Sequence, residues 1–224
     1  MQINRESAGC VVLFSGGRDS TIAALRLAKE FSNLTLLTVT TDHLVGVERV
    51  AQRLQELKTL LPPAAKWIHA VAQPASFVTI GKETIESCLP CHHVYLRTAL
   101  AIARGSGAKS IALGYASYQD TWLEQTPYAV EALRSVLAEF DMTLLLPSAS
   151  LASKAEAIAV LRGSGLSDAA LEQKCLKQQF NSKDLSLADS NEEIDEWKIA
   201  LRKSFEVGKL TGVDVRTPVP LGEW

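Results

Sequence analysis

Ser15-Gly16-Gly17-Arg18-Asp19-Ser20 puts two glycines, two hydroxyls, a guanidinium and a carboxylate into six consecutive residues. The segment follows the apolar run Cys10–Phe14 and precedes the helix-patterned Thr21–Glu30. A buried strand that turns through glycines into a helix leaves backbone N–H groups and the positive end of the helix dipole at the turn. Such a turn is a seat for phosphate. Glycine lets an anion approach the backbone, Ser15, Ser20 and Thr21 add hydroxyl donors, and Asp19 can hold a magnesium ion on the phosphates. An ordinary strand-to-helix turn is the competing reading, disfavoured because glycines and polar groups coincide at a strand's carboxyl end. The nucleoside triphosphatase P-loop is excluded, since neither its glycine spacing nor its lysine is present.

Cysteine supplies the second constellation. Cys88-Leu-Pro-Cys91 sets two thiols within one turn at the start of a predicted helix, where the dipole favours thiolates. With Cys175, and with His92 or His93 adjacent, these residues suffice for a three- or four-ligand zinc site. Three thiolates with an open position suit a 4Fe-4S iron–sulfur cluster instead, and a catalytic or persulfide-carrying thiol or inert cysteines would use the same residues. Cys10, inside the first apolar run, reads as core. His69 reads as structural, whereas His43 follows the second apolar run and could approach a nucleotide. Trp67, Trp197 and Trp224 read as packing residues, and Trp122 lies in a polar loop that could receive substrate.

The hexapeptide resembles the SGGxDS signature of the PP-loop ATP pyrophosphatases, which cut ATP between the α- and β-phosphates and transfer AMP to a substrate oxygen. Gly114-Tyr115-Ala-Ser-Tyr118-Gln119-Asp120 is similar to the second nucleotide-contacting loop of those enzymes. Over roughly residues 10–175 the layout looks like that of 7-cyano-7-deazaguanine synthase. That family's Pro-x-Arg-Asn segment matches Pro90, His92 and His93, its Tyr-Pro-Asp loop matches Tyr118 and Asp120, and its Thr-Lys-Ala-Glu segment matches Lys154. His92-His93 departs from Arg-Asn, Gln119 departs from proline, and of the family's C-terminal zinc cluster only Cys175 has a counterpart here.

The resemblance implies ATP, magnesium and zinc as cofactors. It places ATP on Ser15, Gly16, Gly17, Arg18, Asp19, Ser20, Thr21 and Gly114. Asp19 and Asp120 would hold magnesium, and Arg18 or Lys154 would neutralise the departing pyrophosphate, which makes Asp19, Asp120 and Lys154 the catalytic set. His92, His93, Tyr118, Asp120 and Trp122 would bind a 7-deazapurine carboxylate for amidation and nitrile formation, chemistry of the queuosine-biosynthesis kind. Zinc would sit on Cys88, Cys91 and Cys175. Some PP-loop tRNA thiolases carry an iron–sulfur cluster on a Cys-x-x-Cys pair plus a distant third cysteine, so a tRNA sulfurtransferase is the alternative enzyme, and a tRNA or protein acceptor the alternative partner. A nucleotide-binding module that has lost catalysis is a further class, against which the retained Asp19, Asp120 and Lys154 argue.

Elements must hold these groups. Strand-like runs at Cys10–Phe14, Leu34–Thr40, Trp67–Val71, Ser110–Leu113 and Thr143–Leu146 alternate with helix patterns at about Ser20–Phe31, Leu44–Leu60, Cys91–Ser106, Pro127–Phe140 and Ser153–Arg162. The pattern predicts an α/β fold of the adenine nucleotide alpha hydrolase type: a doubly wound, mainly parallel five-stranded sheet. Residues after the strands, Ser15–Ser20, Thr41–His43, Gln73–Phe77 and Gly114–Thr121, should converge on one cleft. The expected division is a nucleotide-binding domain over 1–165 and a helical extension over 166–224, with a polar stretch at Asn181–Asn191 before a helix at Ile194–Val207. A net charge of −2 over 224 residues offers no broad basic field for nucleic acid, which favours a small or protein-borne substrate. Too few cysteines for a disulfide framework, no apolar leader and no spanning run predict a cytoplasmic protein off the membrane, one that could pair as a homodimer.

Overall fold

The computed structural model describes residues 9–73, 87–177, 187–208, 210–216 and 219–220. Residues 74–77, expected in the cleft, and 181–186 of the polar stretch lie outside the described residues. In chain order the elements are β1 (Gly9–Leu13), α1 (Arg18–Leu27), β2 (Asn33–Thr40), β3 (Leu44–Val45), α2 (Val47–Leu57), β4 (Lys66–Ala72) and α3 (Leu89–Ser106). They continue as β5 (Ser110–Ala112), α4 (Pro127–Glu139), β6 (Thr143–Leu145), α5 (Lys154–Gly163), β7 (Lys174–Cys175), α6 (Leu187–Val207), β8 (Val213–Val215) and β9 (Val219–Pro220).

The five strands expected from the apolar runs form one parallel block in the order β6-β5-β1-β2-β4. From β1 the chain winds outward through β2 to β4, then returns to lay β5 on the other side. The reversal puts a crevice at the carboxyl ends of β1 and β5, where ligands bind in open α/β sheets. The extension departs from the helical expectation. Besides α6 it supplies β8 and β9, which pair antiparallel with β4 and enlarge the sheet to seven strands. An edge strand with unpaired N–H and C=O groups invites such a cover. β7 likewise pairs with β3 in a two-stranded ribbon, which replaces the helix start expected at Leu44.

Both sheet faces are dry, because strand side chains alternate. Cys10, Val12, Phe14 and Leu36 face a core shared with Ile22, Leu54, Leu57 and Leu161 of α1, α2 and α5. Val11, Leu37, Val39 and Ile111 face the other core, with Leu96, Leu100, Leu133, Leu137, Trp197 and Phe205 of α3, α4 and α6. Among the described residues no helix is long and apolar enough to cross a membrane.

Helix α2 breaks the apolar rule once. Its inward stripe is Val50, Arg53, Leu54 and Leu57, and Arg53 is wholly inaccessible to water. Its guanidinium is accommodated because Nε donates to the Gly16 carbonyl at 3.4 Å, Nη1 to the Ser167 carbonyl at 3.0 Å and to the Glu56 carboxylate, and Nη2 to the Ala169 carbonyl at 2.7 Å. Removing the cation breaks its bonds to three backbone carbonyls and the Glu56 carboxylate at once. Arg53→Met should lower the unfolding free energy by about 3–5 kcal/mol in urea titration; a loss below about 1 kcal/mol would show that water or neighbours satisfy those carbonyls instead.

Candidate phosphate loop and cysteine centre

The turn after β1 is shaped from within. Phe14 N–H donates to the Leu37 carbonyl at 2.7 Å, carrying the parallel pairing one residue past the strand. Gly16 then takes φ +81°, and a Cβ there would stand 2.7 Å from the Leu171 carbonyl oxygen, so both conformation and space demand glycine. Gly17 is the N-cap of α1. Its carbonyl accepts from the hydroxyls of Thr21 at 2.7 Å and Ser20 at 3.2 Å, and its N–H donates to Ser15 Oγ at 3.2 Å. Ser15 and Ser20 hydroxyls lie 3.0 Å apart. These hydroxyls, read from the sequence as phosphate donors, here hold the loop's shape. The first-turn amides of α1 lack intrahelical acceptors by construction, which is the geometry an anion needs.

Asp19 is the pivot between two loops. Tyr118 donates its hydroxyl to the carboxylate, 2.6 and 2.7 Å from its two oxygens, and Ser148 Oγ donates to the Asp19 carbonyl at 2.7 Å. Tyr118, expected from the resemblance to bind the substrate, therefore joins the loop after β5 to the turn after β1. Burial pushes the Asp19 carboxyl above its usual range, although Tyr118 and Arg18 pull it down, and the nearby Glu172 charge adds to the rise. Gly114 lets these loops touch: a Cβ on it would lie 2.6 Å from Ser20 N. Its bare face is thus turned to α1 and not to a nucleobase.

The other expected ATP-site residues are scattered. Arg18 donates through Nε to the Asp168 carbonyl at 2.9 Å, so part of its fork is committed to the chain. Lys154 is exposed at the first residue of α5, a helix packed against α1 and capped by Ser153, whose Oγ accepts from Glu156 N–H at 3.1 Å. Asp120 is exposed at the end of the 3-10 turn Ser117–Gln119, and Trp122 is 37% exposed.

A strap that was not expected crosses the loop. Residues 167–173 run across the phosphate turn, held by Arg53, by Arg49 on the Glu172 carbonyl at 3.1 Å and on the Ala170 carbonyl, and by Gln173, whose Oε1 accepts from Thr40 at 2.6 Å. The only local signal was arginine at an inward helical position. Beyond Gln173 the strap becomes β7, where Cys175 pairs with Leu44 of β3.

This route brings Cys175 within electrostatic reach of Cys91. Tyr95 of α3 hydrogen-bonds Cys91 and lies within electrostatic reach of Cys88, Cys91 and Cys175. All four cysteines are reduced. Burial and the neighbouring Cys175 push the Cys91 thiol up to about 12. Cys10 is core, as expected. Among the described residues no three or more His, Cys, Asp or Glu side chains are placed so that they could hold a metal ion, so the ligand set expected on Cys88, Cys91 and Cys175 is not assembled.

The histidines that follow Cys91 turn elsewhere. His92 Nδ1 is 2.7 Å from the Tyr115 hydroxyl and its Nε2 is 3.9 Å from the buried Glu124 carboxylate, with the Tyr95 ring tilted against it. His93 is fully buried with no hydrogen-bond partner on either ring nitrogen, and burial holds it down at about 4. Neither is available as the adjacent ligand or, for His93, as an exposed substrate contact. His69 is structural, stacked on Trp67 with its Nε2 2.8 Å from Thr40 Oγ1.

No family model and no curated protein matches the sequence. Solved structures do. The chain is similar to a 4-thiouridine synthetase in complex with RNA and bound ATP, at 17% identity and a TM-score of 0.60 over 94% of this chain. It spans 55% of that structure's length. Looser likenesses are an NMN synthetase from Francisella tularensis (TM-score 0.47, 15% identity, 92% of this chain and 88% of that one) and the U34-tRNA thiolase NcsA from Methanococcus maripaludis with its 4Fe-4S cluster (TM-score 0.46, 13% identity, 92% and 72%). The likeness to the 4-thiouridine synthetase shows a shared fold, of the adenine nucleotide alpha hydrolase-like type.

The raised Asp19 pKa has a consequence for stability. The folded protein binds the proton more tightly than the unfolded chain, so stability is lost as pH rises from the ordinary carboxylate value through the raised one, and ionised Asp19 is a cost at neutral pH. Asp19→Asn should therefore keep or raise the melting temperature at pH 7 while ATP turnover collapses. A fall in both would mean that the Tyr118–carboxylate bond holds the fold.

Proposed function

We propose that the chain is an ATP-dependent adenylating enzyme that acts on a planar, nucleobase-like acceptor. One observation carries this reading: the strand–glycine–helix phosphate seat, with Asp19 at its centre, lies at the crevice where the sheet order reverses. Catalysis of this kind depends on positioning and charge neutralisation more than on covalent protein chemistry. The α1 amides hold the phosphates. Asp19 would hold magnesium after yielding its bond from Tyr118, and Lys154 or the uncommitted part of the Arg18 fork would meet pyrophosphate charge. Tyr118 then becomes a donor placed between nucleotide and acceptor, while Trp122 offers an exposed ring for stacking.

The acceptor's oxygen would attack the α-phosphorus, form the adenylate and release pyrophosphate; an incoming nitrogen or sulfur nucleophile would then displace AMP. With nitrogen, the reaction is amidation of a 7-deazapurine carboxylate, the reading closest to the Tyr118–Asp120 and Lys154 correspondences. With sulfur, it is thiolation of a base carbonyl in tRNA, a reading favoured by the electrostatic reach of Cys88, Cys91 and Cys175 to Tyr95. Their donor chemistry fits zinc or an iron–sulfur cluster. When bound, zinc would supply a structural clamp, and a cluster an open coordination position for sulfur.

Two reaction mixtures test the proposal, one with 7-carboxy-7-deazaguanine and ammonium, the other with unmodified tRNA and sulfide, each with Mg-ATP. Stoichiometric AMP and pyrophosphate in either mixture is the expected result, and the responding mixture names the nucleophile. ADP and phosphate would overturn adenylation.

A further inference from the structure

The strap that crosses the turn after β1 brings one charged side chain to the start of α1. A Cβ built on Gly17, the N-cap residue, would stand 3.3 Å from Glu172 Oε2 and 3.6 Å from Glu172 Cβ. The Glu172 side chain thus lies against the N-cap, with a carboxylate oxygen bordering the space that a side chain at position 17 would enter. The first-turn amides and the positive end of the helix dipole attract an anion, and here the anion within reach belongs to the chain itself. Asp19 in that first turn and Tyr118 above it both feel the Glu172 charge.

The strap's main chain is pinned while this side chain is not. Arg53 holds the Ser167 and Ala169 carbonyls, Arg18 holds that of Asp168, and Arg49 holds those of Ala170 and Glu172. Gln173 is tied to β2 through Thr40 and through the Val39 carbonyl, which accepts from Nε2 at 3.3 Å. Among the described residues the Glu172 carboxylate itself has no hydrogen bond or ion pair. It can swing about its own bonds without moving the backbone that carries it.

We propose that Glu172 is a tethered competitor for the phosphate seat, its carboxylate standing at the N-terminus of α1 until a polyphosphate displaces it by rotation of the side chain. This rests on reading the turn after β1 as a phosphate seat. A tethered carboxylate acts at high effective concentration, so a weakly held anion is kept off. A magnesium-bound nucleotide enters more readily, because the ion offsets repulsion from Glu172 and Asp19. The seat thereby selects magnesium-bound polyphosphate over the free anion, and the strap stays on its arginines throughout.

Calorimetric titration of the full chain tests this, with inorganic pyrophosphate and the α,β-methylene analogue of ATP as probes, each with and without magnesium. Glu172→Gln, which keeps the shape and removes the charge, should bind both probes at least about threefold more tightly than wild type. The gain should be larger without magnesium and shrink as salt rises. Glu172→Ala should show the same gain, so that the result does not hang on how glutamine packs. Glu131→Gln, which removes a like charge from the exposed face of α4, should bind as wild type does. Unchanged affinity in both Glu172 variants, or a gain that high salt leaves intact, would overturn the competitor role alone. Weaker binding of the magnesium-bound analogue by Glu172→Gln would also overturn it, and would make Glu172 a magnesium ligand. Failure of wild type and variants alike to bind either probe with magnesium present would instead overturn the phosphate-seat reading on which the proposal stands.

Discussion

A guanidinium shut off from water ties three distant parts of the chain together. Arg53 reaches from α2 to the Gly16 carbonyl in the phosphate turn and to the Ser167 and Ala169 carbonyls in the strap. Burying a cation is costly unless its donors are matched, and here they are matched by backbone acceptors that have no helix or strand partners of their own. The strap so anchored continues through Gln173 to Cys175. The glycine turn after β1 and the β3–β7 ribbon therefore share one support.

Close backbone approach is the second constraint. The loop after β5 lies on the first turn of α1 because Gly114 has no Cβ, and the strap lies on the turn because Gly16 has none. The first contact sets Tyr118 on Asp19. Seen this way, the glycines act less as open doors for a nucleotide than as the means by which separate loops meet to form its seat.

The alternation of apolar runs made the parallel block legible, because a strand buried on both faces must be continuously apolar and its crossovers must be helical. β8 and β9 escaped notice because two or three residues carry no period, and the need they answer, an uncovered β4 edge, exists only once the sheet is assembled. The glycine turn after β1 was legible because its glycines and hydroxyls are contiguous in the sequence. The surroundings of the cysteines were not legible. Cys-x-x-Cys announces itself by spacing, but sequence adjacency pointed to His92 and His93, whereas helical geometry turns those rings toward Tyr115 and the core. His43 lies far from Cys91 in sequence and becomes its neighbour only through the position of β2 in the sheet. Arg53 left a fainter trace, a charge at an apolar position of an amphipathic helix.

The central claim is that an acceptor oxygen attacks the α-phosphorus of ATP. Labelling that oxygen with 18O and analysing the nucleotide product by mass spectrometry tests it most directly. Transfer of one 18O atom into the phosphate of AMP is the predicted result. Label that stays in the acceptor, or that emerges in inorganic phosphate, would contradict the account.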